Sequence, residues 1–148
     1  MSSLMDFFDS ESIAIYPSAE DWSQAIDLSM RNLLQRKYIT ADYIQSIKDT
    51  TMEIGPYYLL APGIAMPHAR PECGALKTAL SFTLLLEGVS FEAESPPVRL
   101  LIGLAAKDSD SHIEAIQALS EMLCEDDVID ELLNANNPEE LINIIQRY

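Results

Sequence analysis

A chain of 148 residues with 48% apolar side chains suits one domain built around one core. Its 24 acidic and 9 basic residues give a net charge of −15, which excludes nucleic-acid backbones and anionic lipid as generic partners and favours basic patches on other proteins. No apolar run approaches the roughly 20 residues of a membrane helix, and the start, Met1-Ser-Ser-Leu-Met-Asp-Phe-Phe-Asp-Ser10, lacks the basic-then-apolar pattern of a signal peptide.

Residues 13–16 read as a short strand, after which Pro17-Ser18 opens a helix with Ser18 as N-cap and Glu20 and Asp21 in its first turn. Trp22, Ala25, Ile26, Met30, Leu33 and Leu34 recur at helical spacing and give that helix one buried face. Thr40 caps a second helix with Tyr43, Ile44 and Ile47 on one side, and Gly55-Pro56 breaks it. Residues 57–60 read as a strand running toward His68. Residues 78–86 and 98–106 are nearly continuous apolar runs, the pattern of strands covered on both faces, with Glu87-Gly88 ending the first.

Ser111-His-Ile-Glu114 fits a capping box for the next helix, with Ile113, Ile116, Leu119, Met122 and Leu123 as its apolar face. A further helix covers residues 126–135, and a last one starts at Asn137-Pro138 with proline at its first position. The pattern is an α/β fold, helices layered on a central sheet of four or five strands, with no linker or second domain within residues 1–148.

Both histidines fall where strands give way to other structure. His68 sits in Pro67-His68-Ala69-Arg70-Pro71, and proline can neither continue a helix nor donate to a sheet ladder. A rigid segment at a strand end is where scaffolds present chemistry, and a histidine there can be a base, a metal ligand or a phosphoryl acceptor. His112 lies in the first turn of a helix, whose free N–H groups and partial positive charge favour an anion. Neutral imidazole is a competent nucleophile near neutral pH.

Arg70, two residues from His68, offers a planar fork of donors suited to phosphate, and Ser109 and Ser111 are weaker hydroxyl donors. Taken singly, each has a plainer reading: a loop histidine, a solvated first-turn histidine, a surface arginine. No HxxxH or CxxC spacing supports a zinc site, so neither a metal nor a cofactor is expected. Cys73 and Cys124 have no framework spacing and read as a loop thiol and a helix-face residue of a reduced, cytosolic protein.

The segment Glu53 to Ala69 resembles the phosphohistidine signature of the mannitol/fructose-type enzyme IIA of the bacterial phosphoenolpyruvate-dependent sugar phosphotransferase system. The signature's acidic or amide position is Glu53, its apolar-small pair is Leu60-Ala61, and its final run is Ile64-Ala65-Met66-Pro67-His68-Ala69; every position agrees. The longer run from Gly63 to Thr78 is similar to mannitol-specific members, and to ascorbate-type members that share His-x-Arg-Pro-Glu.

The resemblance implies a mixed sheet flanked by helices and a cytoplasmic phosphocarrier. It implies that His68 accepts a phosphoryl group from the phosphocarrier protein HPr and passes it to a cysteine of a cognate IIB component, while a membrane IIC permease moves the sugar. His112 would stabilise the phosphoryl group, and the apolar segment Gly63 to Met66 would be the docking face. A regulatory phosphorylation sensor would carry the same motif. The resemblance favours mannitol over ascorbate as the sugar. Typical members carry an upstream arginine where this chain reads Asp49-Thr50-Thr51-Met52-Glu53. Arg70 is the candidate to take its place from the other side of His68.

Overall fold

Two apolar runs, β4 (Ala79–Val89) and β5 (Val98–Ala105), pair antiparallel and form the centre of the sheet. The computed structural model describes residues 4–7 and 10–148, so the segment Met1 to Ser10, read above for a leader, lies partly outside them. β1 (Ile13–Tyr16) pairs parallel with β4 on one side. On the other side β3 (Ile64–Ala65) pairs parallel with β5, and β2 (Leu59–Ala61) closes the sheet antiparallel to β3. The order β1-β4-β5-β3-β2 is a mixed five-stranded sheet, at the upper end of the expected count.

Alternation along β4 and β5 divides the core in two. Phe82, Leu84, Leu100, Ile102 and Leu104 pack with residues of α3 (Ser109–Leu123), α4 (Val128–Leu133) and α5 (Pro138–Ile145). Leu85, Leu101 and Ala105 face the opposite way, toward Ile26, Met30 and Leu33 of α1 (Trp22–Gln35) and Tyr43 and Ile47 of α2 (Ala41–Ile54). Helices on both faces explain why these strands read as unbroken apolar runs. Gly103 lets α1 approach closely: a Cβ there would stand 2.3 Å from Ser81 Oγ and 3.1 Å from the Ser29 carbonyl oxygen. The Ser81 hydroxyl donates to that carbonyl at 2.6 Å. Among the described residues, no helix is long and apolar enough to cross a membrane.

Several boundaries differ from the sequence expectation. α1 starts at Trp22, not after Ser18: the Asp21 carboxylate accepts from the Gln24 N–H at 2.8 Å, while the Pro17 carbonyl is held to the sheet by Glu87 N–H. The strand expected over 57–60 is β2, and it does not lead to His68. Pro62 and Gly63, the latter at φ 85°, reverse the chain into β3, a strand missed in the sequence. β4 continues through Glu87-Gly88 to Val89 by way of a register shift, so the Gly ends no strand. The helix expected over 126–135 is the shorter α4, while Asn137 caps α5 as expected and accepts from Glu140 N–H at 2.9 Å. Thr40 flanks α2 as expected but makes no side-chain cap bond.

Candidate functional site

Parallel pairing of β3 with β5, Ile64 opposite Leu100 and Ala65 opposite Leu101, sends both strands off the same edge of the sheet. His68 lies just beyond β3, and His112 lies in the first turn of α3, which follows β5. The two rings meet there, with centroids 5.7 Å apart and planes at 59°. The reversal at Pro62-Gly63 makes this possible, because β2 runs toward the opposite edge. Beyond β3 the chain stays extended against the sheet: Leu104 N–H donates to the Pro67 carbonyl at 3.0 Å and Met66 N–H to the Tyr58 carbonyl at 2.9 Å.

His68 Nδ1 is 2.7 Å from the Met66 carbonyl oxygen. A carbonyl only accepts, so Nδ1 carries the proton and Nε2 keeps its lone pair. The same half-buried imidazole lines a cavity of about 730 Å³ with His112, Arg70, Ser109, Cys73 and Tyr57. Arg70 sits on that wall as an exposed residue heading the short turn Pro71–Cys73, and it forms no ion pair with any described residue. Ser109 reaches the cavity, whereas Ser111 does not line it.

The cap of α3 is Asp108 rather than Ser111. Its carboxylate accepts from Ser111 N–H at 2.8 Å and is held below its ordinary pKa by bonds to the Ser111 backbone and side chain. Ser111 thus serves its neighbour, and His112 N–H is already bonded to the Asp108 carbonyl at 3.1 Å. Burial, then the neighbouring His68, lowers the His112 pKa below its ordinary value. His112 is therefore expected to titrate below about 6.5 in an NMR pH series. The unfolded chain then takes up that proton first, so His112's contribution to stability is complete above about pH 6.5 and declines as pH falls below it. A midpoint at or above the ordinary value would contradict this packing.

The structure adds residues that the sequence reading missed. Ser46, Thr50 and Ile54, four apart on α2, present one face of that helix to the cavity. In the stretch Asp49 to Glu53, which holds no arginine, the residue on the cavity wall is the hydroxyl-bearing Thr50. Tyr57 packs edge-on to His68, with ring centroids 5.4 Å apart at 82°. The expected docking segment is corrected: Ile64, Ala65 and Met66 are buried, because β3 is an interior strand. The exposed apolar groups at the cavity are instead Ile54, Tyr57 and Ile113. Cys73 and Cys124 are both free thiols, and the described residues contain no cluster of three or more His, Cys, Asp or Glu able to hold a metal.

The family model for the phosphoenolpyruvate-dependent sugar phosphotransferase system, EIIA 2, matches residues 6–148. The chain is 58% identical over 144 residues to the mannitol-specific cryptic phosphotransferase enzyme IIA component of Escherichia coli K12, covering 97% of this chain and 98% of that one. It is similar to the solution structure of the mannitol-specific cryptic enzyme IIA from Escherichia coli, with a TM-score of 0.95, 56% identity and coverage of 99% and 100%. A further likeness is to a complex of the Escherichia coli mannitol enzyme IIA with phosphorylated enzyme IIB, at a TM-score of 0.81, 29% identity and coverage of 95% and 99%. The paired histidines on one sheet edge thus belong to a recognised phosphotransferase component, and the chain is a member of the EIIA 2 family of the phosphoenolpyruvate-dependent sugar phosphotransferase system.

Proposed function

We propose that this chain is a phosphoryl carrier that holds its phosphoryl group on Nε2 of His68. The carrying observation is the Nδ1–H bond to the Met66 carbonyl, which directs nucleophilicity to the other ring nitrogen of a residue lining the cavity. In the loading step, Nε2 forms a bond to phosphorus as the bond to the histidine of phospho-HPr breaks. In the unloading step, a cysteine thiolate of a IIB component attacks phosphorus, and His68 leaves with its Nε2 lone pair restored. No water or metal enters the balance of either step.

Transfer of this kind is governed by in-line positioning and by donors around the equatorial oxygens. His112 supplies one N–H donor, Ser109 a hydroxyl, and Arg70 a charged fork on the same wall. A IIC permease in the membrane would complete the relay, with this chain in the cytoplasm. Mannitol is the sugar favoured by the relative at 58% identity.

Incubation with phosphoenolpyruvate, enzyme I and HPr, followed by intact mass measurement, tests the reading: a gain of one phosphoryl group is expected, and no gain ends it. Transfer from the labelled protein to a panel of IIB proteins then identifies the sugar branch. Arg70→Ala is expected to slow loading by about 10–100-fold, with Arg70→Lys intermediate. A wild-type rate in Arg70→Ala would remove Arg70 from the site.

A further inference from the structure

We infer that Tyr57 is a positioning residue, which with Tyr43 orients the His68 imidazole by clamping the peptide unit that follows it. The inference rests on His68 being the phosphoryl acceptor. The His68 carbonyl and the Ala69 N–H are the two ends of one planar unit. The Tyr57 hydroxyl donates to the carbonyl end. The N–H end donates to the Tyr43 hydroxyl at 3.1 Å, and that hydroxyl donates onward to the Leu104 carbonyl at 2.7 Å. Tyr43 is fully buried on α2, and Leu104 lies near the end of β5, so the clamp ties the loop to the sheet.

Rotation of this peptide plane would change ψ of His68 and swing its side chain. The clamp blocks that motion. On the preceding side, the Pro67 carbonyl is held by Leu104 N–H and the proline ring fixes φ of Pro67. The side-chain torsions are set by the Nδ1–H bond to Met66 and by the perpendicular contact with the Tyr57 ring. Every torsion that aims the imidazole is therefore constrained, and Tyr57 contributes to two of the constraints.

Tyr57 is itself supported. Its N–H donates to the Gly55 carbonyl at 2.8 Å, and its ring meets Tyr58 edge-on at 4.8 Å. Tyr58 is in turn fixed by a hydrogen bond of 2.8 Å between its hydroxyl and Thr51. Burial raises the pKa of the Tyr57 phenol, so it remains a donor throughout the neutral range.

Tyr57→Phe keeps the ring, and the residue is 39% exposed, so the variant is expected to fold. Single-turnover loading from phospho-HPr is expected to slow by about 5–10-fold at saturating donor, with the half-saturating concentration unchanged. Ring nitrogen shifts of His68, measured by NMR without any donor, are expected to move from a pure Nδ1–H tautomer toward a mixture. Tyr43→Phe should act in the same direction, with its thermal stability measured alongside because its hydroxyl is buried. A wild-type rate in Tyr57→Phe, a loss confined to the half-saturating concentration, or unchanged His68 shifts would each overturn the clamp. If the wild-type protein takes no phosphate, the phosphocarrier reading fails, while the His68 shifts still decide whether the hydroxyl orients the ring.

Discussion

Replacing His68 with alanine will reduce phosphoryl loading by a factor on the order of 10⁴ or more, to below detection by intact mass. The effect is this large because the residue is the proposed nucleophile and no neighbour is placed to substitute for it. The other histidine has its ring centre 5.7 Å away on a different element, and its backbone is committed to the first turn of α3. The fold should survive the change. His68 is half-buried and its side-chain hydrogen bond goes to a backbone carbonyl, an interaction of about 1 kcal/mol. A variant that keeps its circular dichroism and thermal midpoint, yet gains no phosphoryl mass, is the expected result. A mass gain that persists in His68→Ala would place the phosphoryl group elsewhere and end the assignment.

The second large effect concerns stability. Ile64→Ala is expected to cost about 2–4 kcal/mol, because a fully buried side chain of a two-residue strand is lost and leaves a cavity. For a chain of this size, the thermal midpoint should fall by about 5–15 °C. Leu60→Ala, on the neighbouring edge strand and 49% exposed, provides the contrast and should stay within about 1 kcal/mol of wild type. Equal losses in the two variants would mean that β3 is not the anchored strand described here.

The parts of the fold legible in the sequence were those written by burial alone. β4 and β5 announce themselves because helices cover both of their faces, and α1 and α3 because each has one apolar stripe. Helix starts were less legible. In two places a serine and an aspartate compete for the cap, Ser18 with Asp21 and Ser111 with Asp108, and each time the aspartate prevails. A carboxylate accepting a backbone N–H makes a charge-assisted bond, which a hydroxyl cannot match.

The β2–β3 reversal is hidden in the sequence because Pro62-Gly63 lies within the signature, where residues 57–60 read as a strand running on toward His68. Both histidines and Arg70 could be named from their settings, and the structure brings all three to one cavity. Their meeting could not be read from the sequence, since it depends on β3 lying beside β5. Tyr43 and Tyr57 were illegible as site residues for another reason: they bond to backbone groups, which leave no pattern in side-chain identity.

The parallel pairing of β3 with β5 has a consequence for where the chemistry can exist. Each strand delivers one histidine, and the cavity wall is completed by α2, which precedes both. A peptide containing the full signature would hold His68 and Tyr57 but neither His112 nor Tyr43 and Leu104, which complete the clamp. On the proposed phosphocarrier reading, acceptance depends on the folded sheet, and the isolated signature peptide is expected to take up no phosphoryl group.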